Sequence, residues 1–275
     1  MSDGMKQELL YPLQEAVLAR LQAMGDPQFN QSKLCGGTAL SRCWMGHRLS
    51  YDLDFFLPHG FKAADMAAAL KKSGIAYETK DIVDDPRKAN QLHGYVLHGG
   101  QRLKVSFVED AYFETFPSVD MPFGSLTVRT EEIPGLYHRK LRTVAGSGAE
   151  GDSFEGGRQK ARDLFDLHVL SSSFMPLRDF MAALPYSFPS DAFDNGLANM
   201  PWLELMDELG EIVCDPKWNR AKDMSFLQDA LYAEIGASAV LDDILREAEY
   251  ETEPEPPAPP QGKRRRAPDR GGPTR

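Results

Sequence analysis

The chain has 275 residues, 42% of them hydrophobic, with 31 Lys and Arg against 41 Asp and Glu and a formal net charge of −10. That length holds one large domain or two small ones with ample core, and the composition is that of a globular protein rather than a fibrous or disordered one. The acidic balance argues against broad electrostatic binding of nucleic acid. No apolar run is long enough to span a membrane and MSDGMKQELLY lacks a signal peptide's apolar stretch, so no membrane association and a cytoplasmic location are expected. Cys35, Cys43 and Cys214 are odd in number and without CxxC spacing, which fits a reducing compartment.

Residues 5 to 24 carry Leu9, Leu10, Leu13, Val17, Leu18, Leu21 and Met24 at helical spacing, which predicts an amphipathic helix closed by Gly25-Asp26-Pro27. Leu34-Cys35 reads as the end of a buried strand, followed by Gly36-Gly37 and a helix that Thr38 starts and Ala39, Leu40 and Trp44 continue. The run DLDFF is a strand, and Pro58-His59-Gly60 turns the chain into a helix at 61 to 73. Strands are predicted at 76 to 83, 92 to 98 and 102 to 109, the last two joined by Gly99-Gly100. From Glu131 to about Ala248 the period is mostly helical. Ile133, Leu136, Tyr137, Lys140, Leu141 and Val144 form one stripe, and AGSGAEGDSFEGG is a flexible connector lacking a P-loop's GK[ST]. Short helical pieces fill 172 to 200, and later helices run near 201 to 213 and 217 to 247. The tail ETEPEPPAPPQGKRRRAPDRGGPTR is nearly free of apolar residues, which predicts disorder; its KRRR run reads as part of a solvated tail, the alternative being a nucleic-acid or partner-binding arm.

The chemistry concentrates between Cys35 and Phe56. Alternate side chains of a strand share a face, so Asp52 and Asp54 point one way while Leu53 and Phe55 enter the core. Two neighbouring carboxylates repel each other, and a hard cation such as Mg²⁺ or Mn²⁺ relieves the repulsion with the oxygen ligands it prefers. Upstream, Gly36 and Gly37 let backbone amides approach a ligand without an intervening Cβ, and the helix beginning at Thr38 favours phosphate oxygens at its N-terminus.

This segment resembles the polymerase-β-like nucleotidyltransferase superfamily, with Gly-Gly, a spacer and then D-h-D. In detail, GGTAL with Arg48, Ser50 and DLDFF is similar to the AbiEii/AbiGii-type toxins of bacterial toxin–antitoxin and phage-defence systems. A second block, IPGLYHRKLRTV with Lys140 and then KARDLFDLHVL, is similar to the later motif of that family. The resemblance covers about residues 30 to 170. It implies an α/β (α+β) fold: a nucleotidyltransferase core with a small mixed sheet at 1–170, a helical C-terminal region at 171–249, and the tail at 250–275. It also implies catalytic Asp52, Asp54, Lys140 and Asp163, nucleotide contacts from Gly36, Gly37, Thr38, Arg48 and Ser50, and metal ligands Asp52 and Asp54. The implied reaction moves an NMP from an NTP to an acceptor hydroxyl with loss of pyrophosphate. The acceptor would be an RNA (tRNA) end or a protein hydroxyl, and a cognate antitoxin is the implied partner.

Each assignment has a structural alternative. Lys140 inside an apolar stripe asks for an anion, unless its stem covers the stripe and its ammonium reaches water. Asp163 and Asp166 sit among Leu164, Phe165, Leu167, Val169 and Leu170, and an acid in such a helix needs a partner; the surface alternative links Arg162 to Asp166 at i, i+4. Nucleotidyl transfer commonly uses a third carboxylate on a neighbouring strand. Ser106 stands where similar proteins often carry that acid, Glu109 and Asp110 lie at the strand end, and the resemblance, which implies that Asp163 joins Lys140 in the active site, makes Asp163 the better candidate. A basic face for nucleic acid is expected from Arg42, Arg48, Arg139, Lys140, Arg142, Arg158, Lys160 and Arg162. The alternative to an active enzyme is a nucleotide-binding or interaction module that has lost catalysis.

Overall fold

The computed structural model describes residues 7–84, 88–146 and 159–236. The tail, Arg158, the Gly-rich connector beyond Gly146 and the last predicted helix beyond Gly236 lie outside the described residues.

Helix α1 (Gln7–Ala23) buries Leu10, Leu13, Val17, Leu18 and Leu21 but leaves Leu9 exposed, so the apolar stripe is narrower than its spacing suggested. A short α2 (Pro27–Gln31), unforeseen from sequence, is capped by Asp26, whose carboxylate accepts from the amides of Gln28 and Phe29. It leads into β1 (Lys33–Cys35), buried throughout. The helical segment that follows begins as one α-turn, α3 (Gly36–Thr38), and widens into a π-helical stretch at Ala39–Met45, closed by left-handed Gly46.

Strand β2 (Leu53–Leu57) alternates as expected, with Leu53, Phe55 and Leu57 buried. Helix α4 (Ala63–Lys72) then packs on β3 (Tyr77–Val83), which continues to β4 (Gln91–His98) and β5 (Gln101–Glu109). Gly99 and Gly100, both with positive φ, make the two-residue turn between β4 and β5. A hairpin of β6 (Ser118–Phe123) and β7 (Leu126–Glu131) completes the sheet in the order β3-β4-β5-β2-β1-β7-β6. This second hairpin was absent from the sequence reading. Its outer strand contains Pro122, which only an edge position tolerates.

The sheet is mixed. β2 runs antiparallel to β1 and parallel to β5, while β1 runs parallel to β7. Phe55 packs between Phe29 and Phe107, with ring centroids 5.0 and 5.8 Å away. On the other face, the guanidinium of Arg139 from α5 (Ile133–Ala145) lies 4.2 Å above the Phe56 ring.

The remaining helices are α6 (Ala161–Ser173), α7 (Leu177–Ala183), α8 (Ser190–Ala198), α9 (Trp202–Gly210) and α10 (Met224–Ile235). The long helix expected from 217 is split into a 3-10 turn (Pro216–Lys222) and α10. Asp223 divides them, its carboxylate capping the amide of Phe226. The α6 helix packs against α5, α9 and α10, and α5 in turn packs on β7 of the sheet.

Candidate active site

The approach to β2 is built by short-range packing that only glycine permits. Gly36 has φ +70, and a Cβ there would stand 3.2 Å from Asp54 Oδ2. At Gly37 a Cβ would meet an Arg48 guanidinium nitrogen at 2.4 Å and Ser50 Oγ at 2.9 Å. The second glycine therefore makes room for the protein's own Arg48 and Ser50. Thr38 Oγ1 binds the Ser50 hydroxyl at 2.9 Å and also the Asp52 carbonyl, so the turn and the strand entry are tied together. From α1, the amide of buried Gln14 donates to the Ser50 carbonyl at 2.8 Å. The C-terminal helical region holds the same loop from the other side: Leu49 donates to the Val213 carbonyl at 2.8 Å and Asp215 to the His47 carbonyl at 2.9 Å.

Beneath this loop lies a buried charge network centred on Asp166. Its two carboxylate oxygens accept from Arg48 Nε at 2.6 Å and Arg48 Nη2 at 2.7 Å; Oδ1 also meets His47 Nε2 at 2.7 Å, and Oδ2 lies 2.7 Å from Lys140 Nζ. Lys140 also donates to Asp163 Oδ1 at 2.5 Å. Burial opposes ionisation of Asp166, yet Arg48 and Lys140 outweigh it and hold the carboxyl well below the usual carboxylate range. Burial likewise works against the charge on Arg48, and Asp166 holds its pKa up. Asp163 and Asp166 are fully buried. The surface pairing of Arg162 with Asp166 is not what forms: Asp166 turns inward, and Arg162 reaches Asp52 Oδ2 at 3.6 Å.

The two strand carboxylates open to a different environment. Asp52, one residue before β2, and Asp54 are half-buried on the face opposite Leu53 and Phe55. Lys104 of β5 lies beside Asp52, its ammonium 3.1 Å from Oδ2. Asp52 and Lys104 line a cleft of about 560 Å³ together with the charged side chains of Arg48, Arg102, Arg162, Glu208 and Glu211, and with Leu10, Ile212 and Val213 among its apolar residues. A hollow of about 610 Å³ beside α4, lined by Ala67, Lys71, Ile75 and Tyr77 among others, holds no carboxylate.

The structure thus brings Arg48, Ser50, Thr38, Gly36 and Gly37 to the two aspartates, and places Lys140 and Asp163 under the loop, joined to each other and outside the cleft lining. The expected basic face changes in membership. Arg42 is bound to Glu15, Arg139 to Glu131 and Asp110, and Lys140 is buried, whereas Lys104, Arg102 and Arg162 face the cleft. Glu109 is at the far end of β5, holding the amides of Gly60 and Asn90. Ser106, at the position where a third acid is expected, is buried and directly beside Asp54. Lys104 is a functional candidate that only strand register reveals: it reaches Asp52 from β5, the strand paired with β2.

Among the described residues no group of three or more His, Cys, Asp or Glu side chains forms a metal cage. Two carboxylates alone suit Mg²⁺, which keeps several waters and completes its shell with substrate phosphates. None of the described helices is long and apolar enough to cross a membrane, and all three cysteines are free.

A mixed α/β core with paired strand carboxylates, one of them lining a cleft that carries Lys104 and Arg162, is the arrangement of a nucleotidyltransferase. A family model described as nucleotidyl transferase AbiEii toxin, Type IV TA system, matches residues 18–247, and the chain belongs to this family. Solved structures similar to it include JHP933 from Helicobacter pylori, 17% identical with a TM-score of 0.46, covering 91% of this chain and 100% of that one. Another is an antigenic nucleotidyltransferase-like protein from Paracoccidioides brasiliensis, 14% identical with a TM-score of 0.44, covering 71% of this chain and 88% of that one. No curated protein matches.

Proposed function

We propose that the protein transfers an NMP from an NTP to an acceptor hydroxyl on an RNA (tRNA) end, as a cytoplasmic toxin neutralised by a cognate antitoxin. The observation carrying this reading is the pair Asp52 and Asp54 on one face, with Asp52, Lys104 and Arg162 lining the same cleft. The two aspartates would hold Mg²⁺ or Mn²⁺, which supplies charge neutralisation and alignment for in-line displacement at the α-phosphorus. Lys104 and Arg162 now neutralise Asp52; an incoming triphosphate competes for both cations and draws them to its own oxygens. Gly36, Gly37 and Thr38 shape the turn against which the phosphates rest. Arg48 and Ser50 set its position, and Lys140 and Asp163 fix α6 and Arg48 through Asp166.

Incubation of α-labelled NTPs with the protein and cell lysate tests this. Label entering RNA, lost in Asp52→Ala and Asp54→Ala, is the expected result. Label entering protein overturns the RNA acceptor. A module that binds NTP without transfer is the second reading, favoured by the mutual pairing of Lys140 and Asp163; magnesium-dependent binding by calorimetry with no label transferred selects it.

A further inference from the structure

Attack by a hydroxyl needs a group that takes its proton. The acids weighed above as the third carboxylate are engaged elsewhere: Asp163 by Lys140, Asp110 by Arg139, and Glu109 by backbone amides. Strand register leads to another group. Asp54 lies beside Ser106 of β5, and Ser106 lies beside His93 of β4, so the three occupy one row across the sheet and share a face. Two strand spacings separate Asp54 from His93, about 10 Å between backbones, and the residue between them in the row is the small Ser106. His93 is half-buried, and its Nε2 lies 2.8 Å from Gln91 Oε1. With Nε2–H donating to that amide oxygen, Nδ1 keeps its lone pair.

We propose that His93 accepts the proton of the attacking hydroxyl, a role that rests on the transferase reading above. As the hydroxyl oxygen bonds to the α-phosphorus, its proton passes to Nδ1. The bond from phosphorus to the α,β-bridging oxygen breaks, pyrophosphate leaves with that electron pair, and the imidazolium returns the proton to water. The charged groups facing the ring are Lys104 from β5, Asp54 from β2 and Asp81 from β3. Burial and then Lys104 hold its pKa below the ordinary histidine value against the pull of the two acids, so the ring is a neutral base at neutral pH.

The test follows label transfer from α-labelled NTP to lysate acceptors, with pyrophosphate release, from about pH 5 to about pH 9, the range that brackets histidine titration. His93→Ala is expected to lose about 10²- to 10⁴-fold in kcat. His93→Glu, which puts a carboxylate on the same half-buried position, is expected to retain transfer with the acid limb of the pH profile moved lower. His93→Gln keeps the size of the ring and stands in for the alanine variant if that variant does not fold. A His93→Ala or His93→Gln protein with wild-type kcat and an unchanged acid limb, alongside an inactive Asp52→Ala, overturns the proposal and leaves the transferase reading intact. Wild-type protein that transfers no label overturns both.

Discussion

Asp166 grips Arg48 through both carboxylate oxygens, at 2.6 and 2.7 Å, across a sequence separation of 118 residues. This pair joins α6 to the loop that carries Ser50 and Asp52, and Lys140 and His47 close on the same carboxylate.

Removing Asp166 leaves Arg48 and Lys140 buried with less counter-charge. Asp166→Ala is therefore expected to destabilise the protein by about 3–5 kcal/mol, the scale of breaking one side of a buried ion pair. Urea denaturation of the variant against wild type checks this. The pH dependence has a definite sign, because folding depresses the Asp166 pKa. The stabilisation is complete above the unfolded carboxyl value and is lost as pH falls from about 5 through the lower folded value. The Asp166→Asn variant should show a shallower acid decline in urea midpoint.

Gly37→Ala should disturb the same loop by overpacking. The added methyl would meet a guanidinium that Asp166 holds in place, so the arginine cannot yield cheaply. A loss of about 1–3 kcal/mol in stability is expected, together with reduced transfer. Gly37 lies outside the left-handed region, so the loss is steric and not backbone strain.

Asp52→Ala and Asp54→Ala should each lower label transfer by about 10³-fold, the upper scale of losing one preorganised electrostatic group. Both are half-buried, so circular dichroism should show both variants folded.

Lys104→Ala and Arg162→Ala should raise KM for NTP roughly tenfold, consistent with about 1.5 kcal/mol for one charge-assisted hydrogen bond. Steady-state kinetics at two ionic strengths checks this. High salt should narrow the gap between variant and wild type, because both side chains are partly exposed.

Much of this arrangement was legible because its signals are local. Gly36, Gly37, Asp52 and Asp54 fall within one turn and one strand, where φ preference and period-2 alternation act directly on neighbouring residues. The β6–β7 hairpin was missed: Pro122 weakens the strand pattern, and only an edge position makes it tolerable. Position 106 was noticed as a missing acid, but the histidine that shares its row comes from β4 and is revealed only by register. Asp166 looked like a partner for Arg162 one turn away; burial of its side of α6 gives it to Arg48 instead.

The long separation of Arg48 from Asp166 also sets an order in time. A ribosome adding about 5–20 residues per second takes on the order of ten seconds to travel from one to the other. Through that interval the emerging Arg48 lacks its Asp166 counter-charge, and the loop bearing Asp52 lacks the helix that fixes it from below. The cleft is therefore a late product of synthesis, and a nascent chain halted before α6 carries the glycines and both strand aspartates without a working pocket around them.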